Sequence, residues 1–298
     1  MAVKYATDQP GGFTNRIEKV AIVGAGAIQR AESTSKLPDG INVIRVDYSG
    51  EDDSALVEAL KGQQVLIVTM AIPAQMVAIP KLVNAAAKAG VPYIMPNWFG
   101  HDAANDKLCE DSMLKTNRDK INQQIASLGV STPLLLKRTL TWLDDGDVAL
   151  KTSTWPQCGR AIAGLLSLKE LPDDESDTSP TLSRFADRPV YISSFRVTQR
   201  DMFESVKRVT GTTDAYWTIT RDSSAKRWEE GFAAVKQGNF GAFTKMLYSR
   251  MFFPSADGDY QSRRELDNEA LGLPVEDFDA ATAVAVQMGE KGEVAHSH

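Results

Sequence analysis

The stretch from Lys19 to Ser49, which decides the fold class, reads KVAIVGAGAIQRAESTSKLPDGINVIRVDYS. It opens with four apolar residues, Val20–Val23, which are followed at once by Gly24 and then Gly26. A buried parallel strand that ends in a glycine turn can bring backbone N–H groups close to a nucleotide phosphate, because glycine has no Cβ to block the approach. The N-terminus of the next helix then favours the negative charge. The stretch therefore predicts a dinucleotide site with Gly24 and Gly26 at the pyrophosphate.

The residues after this glycine turn depart from the dinucleotide fingerprint. Gln29 stands where the fingerprint has its third glycine, and Pro38 and Gly40 end the segment soon afterwards. A crossover between parallel strands needs roughly a dozen residues, so a short helix is all that this segment could supply. The stretch predicts the fold more strongly than it predicts an intact phosphate site.

Strand and helix signals alternate outward from this stretch. Apolar β-branched runs predict strands over 42–47, 65–68 and 91–95. Apolar residues with helical spacing predict helices from a Ser54 N-cap to Lys61, over 74–89 with a kink at Pro80, and over 112–128. Such alternation is typical of an α/β protein with a Rossmann-like, doubly wound parallel sheet, in which ligands bind beyond the carboxyl ends of the strands.

The pattern changes after Val130 and predicts a smaller α+β C-terminal substrate domain. Residues 139–143 and 148–152 flank an Asp/Gly turn and predict a hairpin. Helices are expected from Thr154 to Ser167 and over 199–210, and a strand over 190–192. The expected organisation is a loose lead-in over 1–18, an NAD(P)-binding Rossmann-like domain over 19–168, a surface loop over 169–189, C-terminal substrate-domain elements over 190–288, and a tail over 289–298.

Composition excludes several functional classes. With 43% hydrophobic and 24% charged residues among 298, the chain has an ordinary globular composition. The net charge of −6 and a pI near 5.3 disfavour a nucleic-acid surface. No apolar run approaches the roughly 20 residues of a membrane span, so we expect a cytoplasmic protein without membrane partners. Cys109 and Cys158 are too few for a disulfide framework or a Cys-rich metal site, and both are expected to be reduced.

Several blocks of this sequence resemble the NmrA-like and isoflavone-reductase-like family, atypical relatives of the short-chain dehydrogenases. The resemblance covers most of the chain and includes features of the fungal branch of the family. The matching blocks are Val20–Gly26, Val43–Tyr48, Ala59–Gln63, Ala85–Val91, Pro96–Gly100, Thr152–Ala161 and Leu271–Pro274.

The resemblance implies NADP(H) as cofactor and a small-molecule substrate. Family members commonly reduce aromatic or polyketide-like molecules, often in secondary metabolism, although the regulator that names the family binds the dinucleotide without turning it over. This chain departs from the family after Gly26, where roughly 20 to 25 residues of a βαβ unit are missing, and again around 129–136. A missing exon or gene-model error would explain both gaps, and so would a shortened pseudoenzyme.

Site residues follow from the same resemblance. Beyond the two glycines, it places Arg30 at the 2′-phosphate and Asp47 near the adenosine. Since no tyrosine is followed by lysine four residues later, the Tyr-x-x-x-Lys mechanism of typical short-chain dehydrogenases is unsupported. The family's catalytic lysine is best matched by Lys115, with Lys120 as the alternative, and His101 is a second candidate because it directly follows Gly100.

The sequence thus leads to two hypotheses. The first is an NAD(P)H-dependent oxidoreductase that reduces a small secondary metabolite. The second is a non-catalytic dinucleotide-binding regulator or degraded pseudoenzyme. Turnover of NADPH in the presence of a carbonyl or enone acceptor would distinguish them.

Overall fold

The computed structural model describes residues 4–24, 40–46, 52–70, 72–95, 105–113, 139–186 and 188–291. It divides into two compact units whose segments interleave along the chain. Unit 1 comprises Met1–Ala103, Met113–Gly129 and Leu166–Asp187, and unit 2 comprises Ala104–Ser112, Val130–Leu165 and Arg188–His298. The continuous domains expected from the sequence remain a prediction.

The described part of unit 1 is built on a three-stranded parallel sheet, in the order β1, β2, β3. In chain order its elements are β1 (Val20–Val23), α1 (Ser54–Leu60), β2 (Val65–Val68), α2 (Ile72–Ala89) and β3 (Tyr93–Met95). Val20 lies opposite Val65, which in turn lies opposite Tyr93. Parallel neighbours need a crossover connection, and α1 and α2 lie within these connections. The predicted α/β alternation is confirmed.

The apolar core of unit 1 explains why these segments form strands and helices. All four residues of β2 are buried, as expected for a strand covered on both faces. The core cluster includes Val23, Val46, Leu56, Leu60, Leu66, Val68, Ile79, Leu82 and Ala86. Burying each of the larger of these side chains contributes about 1.5–3 kcal/mol.

Two predictions for unit 1 are wrong in detail. Residues 41–46 form no strand, although a strand is predicted over 42–47. Val46 alone among them is buried in the core, while Ile41, Val43 and Ile44 are exposed; β-branched residues favour extended backbone, but a strand also needs a neighbour and a buried face. The N-cap of α1 is Asp53 rather than Ser54.

The first residues of unit 1 are fastened to the segment over 166–186. Asn15 Oδ1 accepts a hydrogen bond from the Leu171 backbone N–H at 2.8 Å, and Asn15 Nδ2 donates to the Leu171 carbonyl at 2.9 Å. Ala6 N donates to the Pro172 carbonyl at 2.8 Å. This segment also contains five buried residues, namely Leu171, Pro172, Thr181, Leu182 and Phe185. The segment over 166–186 thus makes specific contacts with the first residues of unit 1, although its sequence has no regular spacing of apolar residues.

Unit 2 contains two small two-stranded sheets and most of the described helices. Strand β4 (Thr139–Leu143) pairs in parallel with β7 (Thr218–Asp222), and β5 (Leu150–Thr152) pairs antiparallel with β6 (Phe195–Val197). The helices are α3 (Asp106–Asp111), α4 (Trp155–Ser167), α5 (Gln199–Thr210), α6 (Ser224–Lys236), α7 (Phe243–Met251) and α8 (Phe278–Lys291). The predicted helices over 154–167 and 199–210 are confirmed as α4 and α5.

The hairpin predicted over 139–152 does not form. Asp144, in the turn after β4, has φ +53 and donates its backbone N–H to the Asp222 carbonyl at the end of β7. The turn therefore extends the β4–β7 pair instead of folding β5 back onto β4.

The strand predicted over 190–192 also does not form. The backbone of Tyr191 donates to the Asp267 carboxylate at 2.8 Å and accepts from the Asp267 N–H at 2.6 Å. Because Asp267 satisfies both groups, the strand begins later, at Phe195. Among the helices that the structure describes, none has the length and apolar character needed to cross a membrane.

Candidate functional site

The carboxyl edge of the unit 1 sheet carries the glycine turn that the sequence singles out. Gly24 directly follows β1 and has φ +100. A Cβ at this position would lie 2.5 Å from the Thr69 carbonyl oxygen and 2.8 Å from Met70 Cγ. Only glycine fits such backbone geometry and such a close approach. The structure thus gives a physical reason for the first glycine of the turn.

The turn is closed against the end of β2. Thr69 N donates to the Val23 carbonyl at 2.7 Å, which extends the β1–β2 ladder beyond Val68. Thr69 Oγ1 donates to the same carbonyl at 3.3 Å, and Met70 is almost fully buried. Sequence reasoning missed Thr69 and Met70; their position directly after a fully apolar strand is the signal that could have identified them. In open parallel sheets, ligands bind at this carboxyl edge.

Gly24 is the one predicted site residue that lies within the described chain. The other candidates lie outside the described residues, namely Gly26, Arg30, Asp47, His101, Lys115 and the alternative Lys120. A tight strand-end turn that excludes a Cβ is compatible with close approach of a pyrophosphate to the backbone. At Gly24, the backbone geometry of this chain is therefore compatible with a bound dinucleotide.

Tyr93 on β3 is an ionisable group with a structural partner in unit 1. Its hydroxyl donates to Glu170 Oε1 at 3.0 Å. Burial raises the pKa of Tyr93, and the hydrogen bond to Glu170 and its negative charge raise that pKa further. The phenol therefore stays protonated at neutral pH and donates its proton to the hydrogen bond with Glu170.

Unit 2 contains a buried ionic network, which we call the Arg250 network. The Arg250 side chain is 2% exposed, and its Nε donates to Asp111 Oδ2 at 2.7 Å while its Nη2 donates to Asp257 Oδ2 at 2.9 Å. Asn105 Nδ2 donates to the other Asp257 oxygen at 2.7 Å. Trp228 Nε1 donates to the Asp111 carbonyl at 2.7 Å. These five residues form one connected set of contacts.

Sequence reasoning also missed this network, although α7 carries a signal for it. Arg250 follows Met246 and Leu247 at helical spacing, and all three side chains are buried. An arginine on the apolar face of a helix requires a buried partner.

The Arg250 network is incompletely satisfied. Within the described chain, neither Arg250 Nη1 nor the buried Ser112 Oγ has a hydrogen-bond partner. Burial would raise the pKa of Asp257, but hydrogen bonds from Ser255, Arg250 and Asn105 outweigh this effect and lower it. Asp257 is therefore a carboxylate at neutral pH.

A second polar cluster in unit 2 surrounds Glu276. Both carboxylate oxygens accept from Thr154 Oγ1 at 2.9 Å, and Arg160 and Ser194 also donate to them. This cluster ties the segment before α8 to the start of α4. No group of three or more His, Cys, Asp or Glu in the described ranges could hold a metal ion.

Comparison with known proteins identifies related oxidoreductases. No family model matches the chain. It is 26% identical over 282 positions to the oxidoreductase aprR of Aspergillus flavus, covering 86% of this chain and 88% of that protein. It is 25% identical to the oxidoreductase poxI of Penicillium oxalicum, covering 88% and 85%. The alignment with aprR has 282 positions, but 86% of the 298 residues of this chain is fewer than 282. The alignment therefore includes residues of aprR for which this chain has no counterpart.

Solved structures share the fold. A crystal structure of isoflavone reductase superposes with a TM-score of 0.54 at 16% identity, covering 91% of this chain and 99% of that one. AtPrR2 with NADP+ and (+)-pinoresinol superposes with a TM-score of 0.54 at 17% identity, covering 79% of each chain. The Rossmann-like fold predicted from the sequence is confirmed. The chain is thus a distant homologue of fungal oxidoreductases with the fold of isoflavone reductase, and its resemblance to the NmrA-like and isoflavone-reductase-like family is confirmed.

Proposed function

We propose that this chain is an NADPH-dependent reductase of a small carbonyl or enone compound, aromatic or polyketide-like in structure. The observation that carries the proposal is Gly24, which the Thr69 carbonyl and a φ of +100 restrict to glycine at the carboxyl edge of a parallel sheet. NADPH would supply the hydride, and the protein would hold the acceptor and stabilise the developing alkoxide.

In this proposal the cofactor is held by four residues. Gly24 and Gly26 receive the pyrophosphate, and Asp47 lies with the adenosine. Arg30 binds the 2′-phosphate, which NADPH has and NADH lacks, because a guanidinium can bind a phosphate dianion through two parallel hydrogen bonds. The solved structure of AtPrR2, which contains NADP+ and (+)-pinoresinol, supports a dinucleotide and an aromatic small molecule as ligands.

The proton donor is proposed to be Lys115 or His101. Either group could transfer a proton to the reduced acceptor or stabilise its negative charge. We further propose that the protein is cytoplasmic and serves secondary metabolism. The family resemblance supports this biological setting, and the relatives aprR and poxI are oxidoreductases of two fungi.

A dinucleotide-binding regulator without turnover is the second candidate function. It is favoured by the segment over 41–46, which forms no strand although a sheet strand is predicted there, and by the residues of aprR that have no counterpart here. Loss of a crossover helix would remove the positive end of a helix dipole that stabilises a bound pyrophosphate, which would weaken binding by about 0.3–2 kcal/mol.

Titration of the purified chain with NADPH and NADH, followed by NADPH oxidation with an aromatic enone, tests both candidates. The reductase should bind NADPH more tightly and oxidise it when the enone is present. Arg30→Ala should weaken NADPH binding about tenfold or more, with little effect on NADH. Arg16→Ala removes an exposed arginine of unit 1 that pairs with Glu18 and serves as the control.

Three results would decide against the proposal in different ways. Equal losses for NADPH and NADH in Arg30→Ala would refute the phosphate contact. Binding without oxidation across a panel of enones and ketones would favour the regulator. Absence of binding to either dinucleotide would reject both candidates.

A further inference from the structure

The carbonyl of Val23, the last residue of β1, receives two hydrogen bonds from a single residue. Thr69 donates to it through its backbone N–H at 2.7 Å and through Oγ1 at 3.3 Å. A peptide carbonyl has two lone pairs, so both acceptor positions of this oxygen are used. Because the peptide group is planar and trans, the direction of the carbonyl also sets the direction of the Gly24 N–H. Thr69 therefore holds the peptide through which the chain enters the glycine turn.

Thr69 and Met70 also limit where the glycine turn can lie. Gly24 passes so close to them that an added Cβ would be 2.5 Å from the Thr69 carbonyl oxygen and 2.8 Å from Met70 Cγ. Met70 is almost fully buried, and so are the four residues of β2. These contacts oppose a movement of the turn toward β2, and the two hydrogen bonds oppose a movement away from it. The end of β2 thus sets the position of the turn at the carboxyl edge of the sheet.

Packing alone does not require a hydroxyl group at position 69. The Thr69 side chain is half-buried and follows the aliphatic run Val65–Val68. Valine has the same branched shape as threonine, favours extended backbone equally well and has no polar group that needs a partner. What threonine adds at this position is the second donor to the Val23 carbonyl.

We propose that Thr69 is a positioning residue for the dinucleotide, which acts on the glycine turn through its hydroxyl and the Val23 carbonyl. This inference rests on the proposed function, in which the turn receives the pyrophosphate. A binding site that is ordered before its ligand arrives avoids the free-energy cost of ordering during binding. The affinity for a dinucleotide should therefore depend on the oxygen of the Thr69 side chain.

Thr69→Val in the full chain is the main test, because it removes the hydroxyl and keeps the shape of the side chain. We expect the dissociation constants of NADPH and NADH to rise by the same factor, about three- to tenfold, since both molecules contain the pyrophosphate. Adenosine 2′-monophosphate has no pyrophosphate and should bind equally to wild type and variant. Calorimetric titration measures all three ligands.

Three further variants make the test specific. Thr69→Ser restores the hydroxyl and should bring both dissociation constants back to within about twofold of wild type. If Thr69→Val does not fold, Thr69→Ala replaces it, because alanine differs from serine by the hydroxyl oxygen alone. Thr181→Val is the matched control in unit 1. Thr181 is buried and shares a hydrogen bond with Ser183 Oγ at 3.1 Å, and it has no contact with the glycine turn among its described partners.

The outcomes separate the inference from the function on which it rests. Unchanged NADPH affinity in Thr69→Val, or an equal loss in Thr69→Val and Thr69→Ser, overturns the positioning role and leaves the reductase intact. An equal loss in Thr181→Val also overturns it. A wild type that binds NADPH without oxidising it refutes the reductase, but a loss confined to Thr69→Val would still support the positioning role. A wild type that binds neither dinucleotide refutes both.

Discussion

The two units rely on different kinds of interaction. The sheet of unit 1 is held by apolar burial, since all four residues of β2 are buried and two of them, Leu66 and Val68, belong to the apolar core cluster. Unit 2 is crossed by ion pairs between residues distant in sequence, which are Arg160–Glu276, Arg188–Asp267, Arg196–Asp259, Arg208–Asp279 and Arg250–Asp111. Apolar packing depends mainly on volume, whereas an ion pair requires a particular partner in a particular place. We therefore expect the geometry of unit 2 to depend more on particular partners, and its stability to depend more on pH, than the sheet of unit 1 does.

The largest effect is expected from Gly24→Ala, which tests whether unit 1 depends on backbone geometry as well as on apolar burial. The new Cβ would meet the Thr69 carbonyl at 2.5 Å, and the φ of +100 disfavours any side chain. Strain and collision together should lower the free energy of unfolding by about 2–6 kcal/mol. Urea unfolding measures this loss, and NADPH titration measures the accompanying loss of binding.

Gly62→Ala is the matched control within unit 1. Gly62 has φ +73, but no atom lies within 4 Å of the position that a Cβ would take, so strain is the sole cost. A loss of about 1–2 kcal/mol is expected. If both variants lost the same free energy, close approach of Thr69 to the turn would have no energetic role.

An intermediate effect is expected from two glycines of α4 in unit 2. A Cβ on Gly164 would lie 2.6 Å from the Leu271 carbonyl oxygen, whereas a Cβ on Gly159 would meet nothing within 4 Å. Gly164→Ala should therefore destabilise by about 1–3 kcal/mol. Gly159→Ala should stabilise by about 0.5–1 kcal/mol, because alanine favours the helix. Unfolding curves with the same sign for both variants would contradict the close approach of α4 and Leu271.

The difference between the apolar packing of unit 1 and the ion pairs of unit 2 also explains which elements could be predicted from the sequence. The period of apolar residues is a local property, and it predicted β1, β2, α1 and α2 of unit 1 nearly to the residue. It also predicted α5, whose Thr198 and Asp201 form a capping box and whose end is marked by Gly211.

Pairing partners in unit 2 were not predictable in this way. The turn over 144–147 looks like a hairpin, but β4 pairs with β7, and nothing in the local sequence of β4 encodes a strand so far along the chain. The Asp267 contacts that replace a strand at Tyr191 are equally remote in sequence. For the candidate site, the sequence identified Gly24, whose role is local, but it missed the Arg250 network, whose members come from four separate segments.

The most conditional effect, which vanishes in acid, concerns the Glu276 cluster and tests the expected pH sensitivity of unit 2. Burial would raise the pKa of Glu276, but hydrogen bonds from Ser194, Thr154 and Arg160 outweigh burial and hold that pKa below its ordinary value. A carboxylate whose pKa is lower in the folded state contributes stability above its unfolded pKa, about 4.3. This contribution is lost as the pH falls from there through the folded pKa.

Glu276→Gln should therefore destabilise the protein at pH 7 and progressively less as the pH falls below about 4. A loss of about 1–3 kcal/mol at pH 7 is expected, because the hydrogen bonds from Arg160, Thr154 and Ser194 then end on a neutral group. Urea unfolding of wild type and variant at a series of pH values measures the difference, with Glu265→Gln, an exposed glutamate of the same unit, as control. A constant difference between wild type and Glu276→Gln across the acid range would mean that the carboxylate charge contributes nothing. In that case packing and neutral hydrogen bonds, rather than charge, would stabilise the Glu276 cluster. The contrast between an apolar unit 1 and an ionic unit 2 would then depend on the other ion pairs of unit 2.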